Sequence, residues 1–252
     1  MKIRDVEMKI SPADDIIISP AAAGNSNPQQ NRLPTGMELI RRIKVDDPRR
    51  VCHYKGYTYV GTYNNTIDRI NEDGEVTESL IRLAGFPRGI IAHEDRLYVL
   101  QKGKPYSIHV FNLLGQRLFK WNHIDSVTGP CLGRALAVIN NDELVVADRS
   151  NREFRIYSFI GELLRSVKCE EIRTSRISLC YSGGDSIIVT NRSVQNELFK
   201  FNLATGTVEW RSNTVKQPSA VMMLNKEYAV VTEEQRSSSV KFFILNQATG
   251  QM

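Results

Sequence analysis

A turn glycine recurs along this chain behind an alternating run of residues, at Gly36, Gly74, Gly115, Gly161, Gly206 and Gly250, with spacings of 38, 41, 46, 45 and 44. A period of that length marks one supersecondary unit used repeatedly, and it limits the fold more than composition does. Upstream of each of the last five glycines lies a β-branched or aromatic segment alternating in or near period two. These are TIDRIN at 66–71, YSIHVFN at 106–112, EFRIYSF at 153–159, ELFKFNL at 197–203 and VKFFILN at 240–246. Each follows a second strand-like run: YTYVGT, RLYVLQ, ELVVAD, SIIVTN and YAVVTE. An earlier strand opens each unit, as in PRRVCHY from Pro48 or PRGIIAH from Pro87, and a fourth follows the glycine, as in QRLFKWN, ELLRSVK and TVEWRS. Four short antiparallel strands per roughly 40–45 residues are the signature of a β-propeller blade. No segment holds a 3.6-residue apolar period over helical length, which weakens α/β alternatives.

The first 46 residues fit less well. They contain RDVEMKI, an acidic turn SPADD, IIIS, and TGMELIRRIKV, which parallels IGELLRSVK at 160–168, while PAAAGNSNPQQNRLP stands in place of a third strand. Counting them as a unit gives an expected all-β fold, a single six-bladed β-propeller domain over 1–252 with four-stranded antiparallel blades at 1–46, 47–85, 86–127, 128–172, 173–215 and 216–252. The sixth blade is expected to be incomplete, because the sequence stops two residues after Gly250. VKFFILN is then an open edge, so the chain is expected to be part of a longer product or to close its last blade poorly, and to be monomeric unless that blade pairs with another.

With 252 residues, 41% of them hydrophobic and 24% charged, the chain has the balance of an ordinary soluble globular protein. Disorder, collagen and a disulfide scaffold are thereby excluded. Met1–Ile10 has no apolar core of a signal peptide behind it and the longest apolar runs are about five residues, so neither secretion nor a membrane anchor is indicated and a cytoplasmic location is expected. Cys52, Cys131, Cys169 and Cys180 are scattered without a C-x-x-C pair and read as reduced, buried thiols.

The unit 130–168, PCLGRALAVINNDELVVADRSNREFRIYSFIGELLRSVK, resembles the NHL repeat. Val146, Ala147, Asp148 and Asn151 match its V-A-D-x-x-N second strand, Phe154 to Tyr157 its third strand loosely, Gly161 with Leu163 its G-x-L turn, and PRGI at 87–90 its opening strand. The last two units look like propellers at the C-terminus of tripartite-motif proteins. The other repeats depart from the pattern, with Thr62, Gln101, Asn191 and Glu233 in the place of Asp148. The resemblance implies a module that binds RNA or protein partners. Ubiquitin-ligase activity in those larger proteins resides in a RING that this sequence does not contain.

Sorting charges by face sharpens a net charge of only +5, from 33 Lys+Arg against 28 Asp+Glu. Strands in a blade alternate in direction, so the starts of first strands and the second-to-third loops share one face. On it fall Arg4, Arg49, Arg50, Arg88, Arg134 and Arg176, then Lys102, Lys104, Arg149, Arg152, Arg192 and Arg236. The other face receives Asp14, Asp15, Glu72, Asp73, Glu94, Asp95, Asp142, Glu143, Glu162, Asp185 and Glu227, against Lys55, Arg96 and Lys226. A basic ring is the footprint expected for RNA or an acidic protein segment. Tyr63 and Tyr106 are the only aromatic residues placed to stack on bases there.

Catalysis has no comparable support. His53, His93, His109 and His123 share no register, opening strands hold almost no acid beyond Glu7 for a cation in the channel, and neither a nucleophile motif nor a phosphate loop is present. Asp148 is expected to bond to nearby backbone, and Trp121 and Trp210 to pack between blades. The function expected is therefore non-enzymatic recognition, without cofactor or metal, through Arg49, Arg50, Arg88, Arg134, Arg176, Lys102, Lys104, Arg149, Arg152, Arg192 and Arg236. The alternative is a scaffold or substrate-recruiting arm of a tripartite-motif-like ubiquitin ligase, using the loop at 20–34 or the blade edges.

Overall fold

The alternating runs form short antiparallel strands closed by tight turns, and the third-to-fourth turn shows why. Asn112 Oδ1 accepts from the amides of Leu114 and Gln116 at 3.0 and 2.9 Å, Asn202 Oδ1 from those of Ala204 and Thr205 at 3.0 Å, and Asn246 Oδ1 from those of Ala248 and Thr249 at 3.0 and 3.2 Å. An Asx side chain that satisfies the turn amides ends one strand and starts the next. Gly161 and Gly250 follow in these turns with φ of 96° and 72°. A Cβ at either would come within 2.7 Å of an indole in the preceding blade, Trp121 or Trp210, so both the backbone angle and the close approach require glycine.

The computed structural model describes residues 5–7, 42–103, 106–122, 133–140, 142–173, 176–192, 196–234 and 240–251. A ribbon of β1 (Asp5–Glu7) and β2 (Arg42–Lys44) precedes five sheets. The first blade is β3 (Pro48–Tyr54), β4 (Tyr57–Thr62), β5 (Thr66–Ile70) and β6 (Val76–Arg82), and the second is β7 (Pro87–His93), β8 (Arg96–Gln101), β9 (Ser107–Asn112) and β10 (Arg117–Asn122). The third is β11 (Gly133–Ile139), β12 (Glu143–Asp148), β13 (Glu153–Ser158) and β14 (Leu163–Lys168), and the fourth is β15 (Ile177–Gly183), β16 (Ser186–Asn191), β17 (Glu197–Asn202) and β18 (Thr207–Ser212). The fifth has three strands, β19 (Pro218–Met223), β20 (Tyr228–Glu234) and β21 (Val240–Asn246). Strands pair in chain order within each blade, and the first strand of each blade packs on that of the next, from β3 through β19. This is an all-β propeller. Among the described residues no helix is long and apolar enough to cross a membrane.

Six blades are not observed. The described residues form five, and those described among the first 46 form a ribbon in which Val6 pairs directly with Ile43. In a blade ordered 1-2-3-4 the opening and closing strands lie at opposite edges with two strands between them, so a ladder joining DVE to RIK excludes that order for the first unit. The segment 20–34 lies outside the described residues. Ile43 and Val45 instead cover Val60 and Ile70 on the flank of the first blade that no blade precedes.

Middle strands are buried on both faces, which is why ELVVAD and SIIVTN read as continuous apolar runs. Period two divides each of them between two interfaces. Leu144 and Val146 face the second blade with Tyr98, Leu100 and Ile108, whereas Val145 and Ala147 face the fourth with Ile187, Val189, Phe199 and Phe201. The core is thus a series of interblade layers.

Candidate functional site: a cation and aromatic ladder on the opening face

The ladder spans the first two blades where their first strands begin. The Tyr63 amide donates to the Asp47 carbonyl at 3.1 Å, tying the loop after β4 to the start of β3. In the second blade the Lys102 amide donates to the Phe86 carbonyl at 3.1 Å. Phe86 precedes Pro87, whose ring holds it in extended backbone, and Gly85 lets the two segments meet, since a Cβ there would collide with the Lys102 carbonyl oxygen. These constraints bring two rings together, Tyr63 on Phe86 at 5.2 Å with 27° between planes. Arg49 lies 3.8 Å from the Tyr63 centroid, and Arg88 and Lys102 lie 4.5 and 4.7 Å from that of Phe86. Three cations are thereby fixed on two rings.

The remaining predicted residues are not brought into that cluster. Arg50 is spent on backbone, its Nε donating to the Arg88 carbonyl at 2.5 Å and its Nη1 to the Arg49 carbonyl at 2.8 Å, a brace between blades. Arg152 donates to Glu170 at 2.8 Å, and Arg192 to Gln217 Oε1 at 2.5 Å. Arg149 and Arg176 are exposed at the third and fourth blades. Lys104 and Arg236 lie outside the described residues, as does the side chain of Arg134, whose backbone belongs to β11. Tyr106 is buried, 4% exposed, and offers no face to a ligand, whereas Tyr63 remains 43% exposed.

Phe86 is not among the residues expected from the sequence, because it lies in a connector between blades and not at a strand start or in a second-to-third loop. The G-F-P-R-G run at 85–89, an aromatic residue ahead of a proline and an arginine, carried the signal. The same connectors bring acids to this face. Glu170 pairs with Arg152, and Glu171 accepts from Arg211. Burial raises the Glu171 carboxyl, but its hydrogen bonds, foremost that from Arg211, outweigh burial and leave it below the usual range.

Asp148 closes its loop as expected, accepting from the Ser150 amide at 2.9 Å and from Asn151 Nδ2 at 2.9 Å. It also lies 3.5 Å from Arg155 Nε, which donates to Glu153 at 2.7 Å in a buried charge cluster. Burial pushes the thiols of Cys52 and Cys180 up to about 12 and that of Cys169 higher still, so all three stay protonated and unreactive. Among the described residues no group of three or more His, Cys, Asp or Glu is placed to hold a metal.

Comparison with known proteins adds a likeness of fold. No family model matches the sequence, and no curated protein matches it. Among solved structures, a protein of unknown function from Bacteroides caccae is similar over 85% of this chain and 84% of its own, with a TM-score of 0.66 and 17% identity. At that identity the likeness speaks for the fold alone.

Proposed function

We propose that this propeller is a non-enzymatic recognition module that captures an acidic protein segment at the Arg49–Tyr63–Phe86–Arg88–Lys102 ladder. The stacked cations carry this reading. A guanidinium lying on a ring keeps its planar fork of N–H donors open to a carboxylate. Arg49 has Asp47 3.8 Å away, but among the described residues neither Arg88 nor Lys102 has an acid partner. Each ring already carries a cation and a ring neighbour, so the base stacking that supports single-stranded RNA binding has little ring face left to use. This favours carboxylates over nucleic acid. The resemblance of 130–168 to the NHL repeat supports recognition as the general role.

Fluorescence anisotropy with a labelled oligo-glutamate peptide and a labelled U-rich RNA tests the proposal. The peptide is expected to bind, to weaken with salt, and to be lost on the triple substitution Arg49→Glu, Arg88→Glu, Lys102→Glu while the thermal midpoint holds. Unchanged peptide binding by that variant would overturn the site. Tighter binding of the RNA, with a steep salt slope, would replace the protein segment by RNA.

A further inference from the structure

A second site lies on the opposite face, between the third and fourth blades. There a groove of about 710 Å³ is bounded by Val167 and Arg165 of β14 on one side and by Gly206 in the turn before β18 on the other. On the β14 side the repeat places Val167 where the second blade has Trp121. Val167 pairs with Phe154, the second residue of β13, as Trp121 pairs with Ile108, the second residue of β9. Trp121 fills the next blade's turn at Gly161, and Trp210 fills that at Gly250. At Gly206 a Cβ would meet only Val167 Cγ1, at 3.6 Å. The space that the Trp121 indole occupies one junction earlier is open at this one, whereas Trp210, paired with Lys200, stands in register with Arg165, which pairs with Ile156.

The walls select what could enter. Arg165 is neutralised by Glu143 at 2.6 Å and Lys168 by Glu153 at 2.8 Å. Asp142 and Asp185, both exposed at the groove, have no ion-pair partner among the described residues, so its uncompensated charge is negative. We infer that this groove receives a tryptophan-like side chain flanked by a lysine or arginine, presented by a basic segment of a partner protein. The ring takes the place that Trp121 holds one blade earlier, and the cation meets Asp142 and Asp185. This site is independent of the ladder, lies on the other face and selects the opposite charge.

NMR titration of the ¹⁵N-labelled chain with tryptophanamide, a cationic indole, and with N-acetyltryptophan, an anionic one, tests the inference. Tryptophanamide is expected to produce saturable shifts at the Val167 and Gly206 amides, with the anion binding about tenfold more weakly. Val167→Trp should abolish the shifts by filling the groove. The double variant Asp142→Asn, Asp185→Asn leaves the core untouched and should bring the two ligands to equal affinity. The inference is overturned if tryptophanamide gives no saturable shift there up to its solubility limit, if both ligands bind the native chain equally, or if the double variant keeps the native preference.

Discussion

Gly161 and Gly206 each close a third-to-fourth turn, with φ of 96° and 71°, but the Gly161 amide donates to the Ser158 carbonyl and that of Gly206 to the Asn202 carbonyl, and they face different neighbours. Alanine at Gly161 meets both the left-handed backbone penalty and the Trp121 ring, whereas alanine at Gly206 meets only the first. Urea denaturation should therefore show a loss of about 2–4 kcal/mol for Gly161→Ala and about 1 kcal/mol for Gly206→Ala. His109 supplies a pH dependence. It is 7% exposed, bonded through Nε2 to Ser107 Oγ at 2.8 Å, and held down to about 4, first by burial and then by Lys120 and Arg117. The unfolded chain takes up this proton near pH 6.5, so between about 6.5 and about 4 it binds more protons than the folded state. Stability falls as pH drops through that window, by about 3 kcal/mol at full extent. Unfolding midpoints at pH 7 and pH 4.5 should converge in His109→Gln relative to the native chain. Local chemistry of this kind was partly legible in the sequence: V-A-D-x-x-N pointed to the Asp148 loop because its partners lie two and three residues away. Nothing local pointed to Tyr63 on Phe86, which come from different blades.

Blades are joined through their outer strands as well as their middle ones. Trp210 Nε1 donates to the Gln247 carbonyl at 3.0 Å while its ring covers Gly250, so one side chain of β18 holds the turn after β21 in place. Trp210→Phe, which keeps a ring but removes the donor, is expected to cost about 1 kcal/mol, and Trp210→Ala about 3–5 kcal/mol, in calorimetry or chemical denaturation. Strand identity was readable because period two and turn residues are local properties, and YTYVGT, RLYVLQ and ELVVAD coincide with β4, β8 and β12. The element that misled was the first 46 residues, where strand-like composition resembled a blade. Composition does not say which strand lies beside which, and the ladder of β1 with β2 decided that.

Across the whole molecule the interblade layers are unequal. The layer between the third and fourth blades draws on β11–β13 and β15–β17 and is the largest continuous cluster, whereas β21 pairs only with β20 among the described residues. Native-state hydrogen exchange should accordingly find the slowest amides in β12, β13, β16 and β17, and among the third strands of the blades the fastest amides in β21, because β5, β9, β13 and β17 are each paired on both sides and β21 on one. Comparable protection across all five middle strands would contradict that ranking. The sequence by itself determined a repeated four-strand unit and basic and acidic residues parted by turn position, since each of these depends on spacing along the chain. Only the tertiary structure decided the number of blades, which arginines are spent on Glu170, Gln217 and backbone, and that three cations meet two rings at one junction while an indole-sized space stays open at another. Those outcomes depend on contacts between residues 18 to 38 positions apart, and such contacts exist only once neighbouring blades have packed.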